Sequence, residues 1–160
     1  MWKEIQRYIP RDHAVALTPG EVTDIVADQV PRHHTLEQTK RFAEYLSGLP
    51  QVVGKNEHYF GDGTYTRLWI GPAHTVTIGK MHRLRHTMAV LAGEVSLSTE
   101  QGFIRVRGPY VEEARAGTKR IVVCHTECAI ITVHPNPTNT RDLAELEKQL
   151  IVDPDSIIDG

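Results

Sequence analysis

Residues 94–108, EVSLSTEQGFIRVRG, consist of two short runs in which apolar and polar side chains alternate. Val95 and Leu97 alternate with polar residues in the first run, and Ile104 and Val106 alternate with arginines in the second. A period of two is typical of strands with one buried face, and the segment between the runs has the composition of a tight turn. The stretch therefore predicts a β-hairpin and favours a mainly β fold.

The same period is found on both sides of this hairpin. From about residue 51 onward, short alternating runs are separated by turn residues, most of which are glycines. These further runs are YTRLWIG, HTVTIG, MAVLAG, YVEEARAG and KRIVVCHTECAIITVHP. Many short strands at such a spacing are typical of a β-sandwich or a β-barrel. We therefore expect a barrel in residues 51–137.

Residues 1–50 differ from the barrel and are predicted to be an N-terminal extension. Their clearest element is a helix at about residues 35–48. Thr35 is a suitable N-cap for this helix, and Gln38 completes a capping box. An apolar stripe that includes Leu46 predicts that the helix covers one side of a sheet.

A second helix is predicted after the last strand, in a C-terminal helix and tail that comprise residues 138–160. The sequence TNTRDLAELEKQLIVDP follows two prolines, and we expect the helix to be capped near Thr138 to Thr140. At 160 residues the chain is long enough for one domain with a hydrophobic core. The predicted architecture is a single β-barrel with an N-terminal helical segment and a C-terminal helix.

The overall composition narrows the class of protein. Hydrophobic residues make up 40% of the chain and charged residues 24%, as in ordinary globular proteins. A net charge of −2 makes nucleic acid an unlikely partner, because its binding needs a basic face. No apolar run approaches the length of a membrane span, and the start MWKEIQRYIP lacks the apolar core of a signal peptide. We therefore expect a cytoplasmic protein without a membrane partner.

The two cysteines, Cys124 and Cys128, flank the tip of a predicted hairpin. A disulfide across the hairpin is sterically possible, but a chain without a secretion signal would keep its thiols reduced. A soft metal bound with His125 is a further alternative, although the spacing lacks the paired knuckles of a zinc site. The interpretation that we favour is two small buried apolar side chains.

Residues 79–134 resemble the cupin superfamily, whose fold is a small jelly-roll β-barrel. The first cupin motif has a glycine, two histidines one residue apart, a glutamate and a closing glycine. Gly93 matches the closing glycine, His82 matches the second histidine, and His86 stands where the glutamate belongs. Lys80 stands in place of the first histidine. The resemblance therefore implies the barrel fold and part of a metal site.

The second cupin motif is matched at its turn only. Gly117 supplies the glycine, whereas Arg115 replaces the proline and Arg120 replaces the histidine. Over roughly residues 50–152, the chain also resembles small cupin-like proteins of bacteriophages and prophages. This second resemblance is carried by HYFGDGTYTRLWI, GKMHRLRH, GPYVEEARAGTKR and TVHP followed by an acidic helix. It implies no particular activity.

His82 and His86 have the same parity and can point to one face of the chain. In an unbroken strand four residues span about 13 Å, which is too far for two ligands of one ion. They converge only if the segment RLR between them turns the chain back. His134, near the end of the strand IITVHP, is then a candidate third ligand of a divalent transition metal such as Zn, Fe, Mn or Ni. His58 and His74 precede strands that could line the same cavity and are further candidates, whereas His125 lies at a loop tip and is less suited to reach the ion.

Basic residues near these histidines support a different hypothesis. Lys80 and Arg120 would raise the electrostatic cost of a divalent cation in the same pocket. Arg67 alternates with Tyr65 and Trp69, so its side chain is expected on the same strand face as theirs. Lys80, Arg120 and Arg67 could together bind a small anionic ligand instead of a metal. Solvated surface histidines are the third alternative.

The sequence thus leaves three functions open. The first is a metal-dependent protein that acts on a small molecule, and the second is a metal-free protein that binds a small anion. The third is a phage interaction or assembly protein that uses the barrel as a scaffold. Catalytic triads, phosphate-binding loops and dinucleotide fingerprints are not found in the sequence. Because edge strands of small barrels often pair between subunits, we also expect a homodimer.

Overall fold

The computed structural model describes residues 13–16, 18 and 36–152. Its elements, in chain order, are β1 (His13–Ala16), α1 (Leu36–Ser47), β2 (Lys55–Gly61), β3 (Thr64–Gly71), β4 (Thr75–Ile78), β5 (His86–Ala92), β6 (Glu94–Thr99), β7 (Gly102–Arg107), β8 (Tyr110–Ala114), β9 (Ile121–Cys124), β10 (Cys128–Pro135) and α2 (Leu143–Leu150). Neither helix of this part of the chain combines the length and the apolar character of a membrane span.

The described strands form two antiparallel sheets of five strands each. Sheet A has the order β1-β4-β9-β6-β7, and sheet B has the order β2-β3-β10-β5-β8. The hairpin predicted at residues 94–108 is the pair of β6 and β7, and its register joins Val95 to Val106 and Leu97 to Ile104. The strand β2, which pairs with β3 through a turn at Asp62 and Gly63, was not predicted as a strand of its own.

Eight of the strands follow the path of a long hairpin that has been rolled up. β3 pairs with β10, β4 with β9, β5 with β8, and β6 with β7. Contacts between successive turns of the roll add the pairs of β10 with β5 and of β9 with β6. This connectivity is that of a jelly roll, so the prediction of a mainly β, jelly-roll fold is confirmed. The two remaining strands, β1 and β2, extend the sheets at the edges formed by β4 and β3.

The inner faces of both sheets supply one hydrophobic core. Val95, Leu97 and Val122 of sheet A are packed in one cluster with Trp69 and Ile130 of sheet B. Alternate residues of each strand point inward, as the period of two requires. The sheets are therefore held face to face by apolar burial, and the space between them can hold a site only where this core ends.

Helix α1 covers the outer face of sheet A, as its apolar stripe predicts. Its buried side chains are Phe42 and Leu46, and they pack against β4 and β9. The residues of these strands in the cluster are Val76, Ile78, Ile121 and Val123. Because α1 covers one face and the core covers the other, all residues of β4 and β9 are buried.

Helix α2 begins later than the sequence predicts. The N-cap is Asp142, whose carboxylate accepts hydrogen bonds from the amides of Ala144 and Glu145 at 2.8 and 3.3 Å. The prediction of a cap near Thr138 to Thr140 was wrong, because a carboxylate at the N-terminus of a helix also interacts favourably with the helix dipole. The helix packs on Tyr65 of β3 through Leu146 and Leu150.

The N-terminal extension contributes a strand to the barrel. β1 pairs with β4 over four residues, from His13 opposite Ile78 to Ala16 opposite Thr75. The predicted N-cap Thr35 lies outside the described residues. The domain boundaries at residues 50 and 137 stay predictions.

The hairpin between β9 and β10 lies beside the start of β6, where the His125 amide donates to the carbonyl oxygen of Glu94 at 2.9 Å. Cys124 and Cys128 are buried there as free thiols, with their Sγ atoms 3.0 Å apart. The ring of His125 bonds with the Ser96 hydroxyl at 2.7 Å instead of joining the two thiols. Gly93 faces this hairpin with a φ of 88°, and a Cβ there would come within 2.3 Å of the Glu127 carbonyl oxygen. The predicted closing glycine is thus required by its backbone conformation and by close packing.

Replacing Leu46 by Ala should destabilise the protein substantially. The Leu46 side chain is fully buried between α1 and sheet A, so we expect Leu46→Ala to lower the free energy of unfolding by about 2–5 kcal/mol. Urea denaturation would measure the change. Tyr45→Ala, at an exposed position of the same helix, is the matched control and should cost less than about 1 kcal/mol. Equal losses in the two variants would contradict the packing described for α1.

Candidate metal centre and ligand cavities

The inner face of sheet B is arranged in layers, because β10 lies between β3 and β5 in register. The outermost layer contains Tyr65, His134 and His86. The second contains Arg67, Thr132, Met88 and Glu112, and the third contains Trp69, Ile130, Val90 and Tyr110. From His134 through Thr132 to Ile130, each step of two residues along β10 leads to the next layer. The interior side chains change from imidazole in the first layer to mainly polar in the second and mainly apolar in the third.

His82 joins the outermost layer from the loop between β4 and β5. This loop is fixed at its start, where the Gly79 amide donates to the carbonyl oxygen of Arg120 at 2.9 Å. It is fixed again at His82 itself, whose carbonyl oxygen accepts from the Gly117 amide at 2.8 Å. The chain bends at residues 83–84 before β5 begins. The predicted turn between the two histidines is therefore present.

The segment after α2 holds the other side of this loop. His82 forms an isolated antiparallel bridge with Ile151. On either side of this bridge, the Arg83 amide donates to the Leu150 carbonyl at 2.7 Å and the Val152 amide donates to the Met81 carbonyl at 3.0 Å. The backbone position of His82 thus depends on residues almost seventy positions away in sequence.

The structure brings His82, His86 and His134 together. Their ring centroids are 4.2 Å apart for His82 and His86, 4.8 Å for His82 and His134, and 4.7 Å for His86 and His134. One possible ligand atom from each ring lies within 4.8 Å of the others. Ligand nitrogens about 2.0–2.1 Å from a zinc ion lie roughly 3–3.5 Å apart, so small rotations of the rings would suffice to bind one ion. We call these residues the histidine triad; it is the sole such group of three or more metal-ligating side chains within the described ranges.

The triad is neutral at physiological pH. Burial, followed by repulsion from His86 and His134, lowers the pKa of His82 to about 2. Burial and the neighbouring His86 and Arg67 lower the pKa of His134 to about 3, and burial also lowers the pKa of His86. Imidazole must be neutral to bind a metal, so no proton has to be displaced from these rings near pH 7.

Hydrogen bonding fixes the orientation of one triad ring. The Nδ1 atom of His86 lies 3.3 Å from the carbonyl oxygen of Leu84. Because a carbonyl oxygen only accepts, Nδ1 carries the proton and Nε2 keeps its lone pair for a ligand bond. His134 is supported differently, since the Tyr65 ring stacks on it at 5.9 Å and the Tyr65 hydroxyl bonds with His58 Nδ1 at 2.8 Å.

Carboxylates from two other elements accompany the basic residues near the triad. Lys80 forms an ion pair with Glu147 of α2, and Arg120 forms an ion pair with Glu112 of β8. Arg120 also donates to the carbonyl oxygen of Ser98 at 2.7 Å. The basic side chains that the sequence suggests as an obstacle to a metal are therefore partly neutralised by acidic partners.

Two cavities meet at the triad. The outer cavity, of about 80 Å³, lies under α2 and is lined by His82, His134, Tyr65, Leu146 and Glu147 among others. The inner chamber, of about 70 Å³, lies in the second layer of the barrel and is lined by His82 and His86 together with Thr77, Arg120, Thr132, Trp69 and Ile130. Both volumes exceed the roughly 10–15 Å³ that a single water molecule needs.

The three residues predicted to bind an anion are all found at these cavities. Lys80 and Arg67 line both of them, and Arg120 lines the inner chamber. Their role in binding stays a prediction. His58 lines the outer cavity from within β2 rather than preceding a strand, and His74 lies in a turn with a φ of 58°.

Other residues at the site were not predicted from the sequence. Glu147 and Glu112 were not assigned as ion-pair partners, and no role at the site was predicted for Tyr65. Thr77 and Thr132 were not singled out, because threonine is common in strands whatever its role. For Thr132 the sequence does contain a usable indication. It precedes His134 by two residues in the same strand, so its side chain must point to the same face.

No family model and no curated protein matches the chain. Among solved structures, the chain is similar to a cupin-2 domain protein from Shewanella frigidimarina, with 12% identity and a TM-score of 0.44 over 59% of this chain and 92% of that one. It is also similar to an RmlC-like cupin family protein from Methanocaldococcus jannaschii, with 12% identity and a TM-score of 0.45 over 54% of this chain and 84% of that one.

A third similar structure is an acetylacetone dioxygenase from Acinetobacter johnsonii, with 10% identity and a TM-score of 0.44. The match covers 54% of this chain and 65% of the dioxygenase, so it spans slightly less than two thirds of that protein. Similarities of this size concern the fold and carry no argument about activity. The strand order of the protein itself establishes the jelly roll.

The stability of the metal-free protein should fall as the solution becomes acidic. The unfolded chain protonates its histidines near pH 6.5, whereas His82 and His134 stay neutral in the fold down to about pH 2–3. The stability present above pH 6.5 is therefore lost as the pH decreases. Between pH 7 and pH 5.5 we expect a loss of roughly 2.5 kcal/mol from these two residues, measured by urea denaturation.

Two variants test whether this pH dependence comes from the triad. His134→Asn should remove about half of the loss, and His74→Asn, outside the triad, should leave it unchanged. The same pH dependence in the wild type and in His134→Asn would contradict the assignment.

Proposed function

We propose that the protein binds one divalent transition-metal ion through His82, His86 and His134 and acts on a small molecule beside it. A single observation carries the proposal: three neutral imidazoles lie with their ligand atoms within 4.8 Å of one another. Buried groups that lower the pKa of their neighbours are typical of functional sites. A structural core could be filled at lower cost by apolar side chains.

The donor set limits the identity of the ion. Imidazole suits zinc, iron, nickel and copper, whereas manganese and magnesium prefer carboxylate oxygens. No acidic residue joins the triad within the described ranges, so zinc, iron and nickel fit better than manganese. Three protein ligands leave further coordination positions for water or a substrate, which is typical of catalytic rather than structural sites. Such an ion supplies Lewis acidity or an activated water molecule.

The resemblance to cupins supports the proposal through the positions of His82 and Gly93. The departure from the cupin motif concerns the anionic ligand, because His86 replaces the glutamate. A site with three neutral ligands keeps both positive charges of the ion, which favours an anionic substrate. The resemblance to phage proteins and the homodimer both stay predictions, and so does the scaffold role in phage assembly.

Metal analysis of the purified protein tests the proposal. Untagged protein exposed to Zn²⁺ or Co²⁺ should retain one equivalent of metal after desalting, measured by inductively coupled plasma mass spectrometry. We expect His82→Ala to lower the metal affinity by at least about a hundredfold. Mutation of a residue that only hydrogen-bonds to a metal ligand already lowers metal affinity about 10–100-fold, and loss of a ligand should lower it at least as much. Cobalt should give a visible d–d absorption spectrum that is lost in this variant.

His74→Asn is the matched control for the metal experiment. This histidine lies in the turn before β4, outside the triad, and asparagine tolerates its positive φ. The variant should bind metal as the wild type does. A wild-type protein without stoichiometric metal, or with binding that survives His82→Ala, would overturn the proposal.

A further inference from the structure

We propose that the inner chamber binds a small monocarboxylate, held by Thr77, Thr132 and Arg120, with its apolar body on Trp69 and Ile130. The assignment of this carboxylate as the substrate class of the metal site rests on the proposed function. The binding site itself rests only on the side chains that line the chamber.

Two buried threonine hydroxyls lack a hydrogen-bond partner at the chamber wall. Thr77 is 6% exposed and Thr132 is 8% exposed, and the Oγ1 atom of each has no partner. They belong to opposite sheets, Thr77 to β4 and Thr132 to β10, so both hydroxyls border the same space from two sides. Because buried polar groups are nearly always hydrogen-bonded, two such groups at one cavity indicate that a polar molecule binds there.

A third unpartnered donor belongs to Arg120. One terminal nitrogen of its guanidinium donates to Ser98 and the other contacts Glu112, which leaves the buried Nε without a partner. Glu112 is itself held by the Tyr110 hydroxyl at 3.0 Å and does not line the chamber. The guanidinium is therefore held in place by protein contacts on two of its three nitrogens while its third donor remains available.

The three donors define the chemistry of the ligand. The guanidinium N–H requires an acceptor atom, and each hydroxyl group can donate to one. A carboxylate offers about four lone-pair sites on two oxygens and can therefore accept from all three groups. Hydrogen bonds between a guanidinium and a carboxylate are charge-assisted and stronger than neutral ones. A neutral amide or an alcohol could bond with the two hydroxyl groups but would form a weaker bond with the guanidinium, so the Arg120 donor favours an anion.

The floor of the chamber defines the rest of the ligand. Trp69 and Ile130 are paired in the third layer, and Val122 of sheet A faces them from the other side. A second carboxylate placed on these side chains would be buried without partners, which excludes dicarboxylates. The volume of about 70 Å³ is far below the roughly 300–1,000 Å³ of pockets for drug-sized ligands. Short monocarboxylates such as propionate and butyrate fit these limits.

Binding of propionate to the full-length protein tests the inference. Untagged protein, first stripped of metal and then loaded with Zn²⁺, would be titrated with sodium propionate at constant ionic strength by isothermal calorimetry and thermal denaturation. We expect saturable binding and a raised melting temperature with propionate. Propionamide, the neutral analogue, and succinate should each bind at least about tenfold more weakly.

Thr132→Val distinguishes a bound carboxylate from ordered water. The change replaces a hydroxyl by a methyl group of similar size, so it should raise the melting temperature of the free protein by removing an unpartnered polar group. The same change should weaken propionate binding at least about tenfold. Thr77→Val should act in the same direction and gives a second variant. Thr87→Val, at an exposed position of β5, should alter neither quantity.

The outcomes separate this inference from the proposed function. Absent propionate binding, or binding that Thr132→Val and Thr77→Val leave unchanged, would overturn the inference and leave a chamber that holds only water. Propionate binding that depends on both threonines, in a protein that retains no metal, would support the carboxylate site while the metal proposal fails. Metal binding without propionate binding would support the metal proposal and overturn the carboxylate site.

Discussion

The position of β10 between β3 and β5 is the constraint on which the interior of this protein depends. Both pairings are antiparallel, so the inward side chains of Thr132 and Ile130 each face inward side chains of both neighbouring strands. His134, Thr132 and Ile130 therefore belong to the three successive layers of the inner face of sheet B. A slip of one residue would turn all three side chains to the outside, and the triad, the chamber and the core would be lost together.

The barrel alone does not complete the triad. Two of its members lie on strands of sheet B, but His82 lies on a loop that pairs with the segment after α2. The Lys80–Glu147 ion pair and the packing of Leu146 on Tyr65 bind the same helix to the rim. The C-terminal helix and the segment after it thus fix the position of His82 and cover the outer cavity, although they contribute no member of the triad.

The sequence was most informative where a local period determines structure. The strands from β3 onward, the hairpin of β6 and β7 and the inward direction of His134 follow from alternation, whereas β1 and β2 were not predicted. The placement of α1 follows from its apolar stripe. The bridge between His82 and Ile151 could not be predicted, because a single residue pair is too short to give a periodic side-chain pattern. The ion-pair partners of Lys80 and Arg120 could not be predicted either, because ion pairs between distant elements depend on tertiary packing rather than on spacing in the sequence.

Charge links the two proposed ligands. Three neutral imidazoles do not compensate a divalent ion, and a partly buried charge is costly unless an opposite charge accompanies it. Glu147 and Glu112 are already engaged by Lys80 and Arg120, so the protein offers the ion little negative charge from these residues. A carboxylate in the adjacent chamber would supply it. Because coupling between two binding sites is reciprocal, the metal must raise the affinity for the carboxylate by the same factor as the carboxylate raises the affinity for the metal.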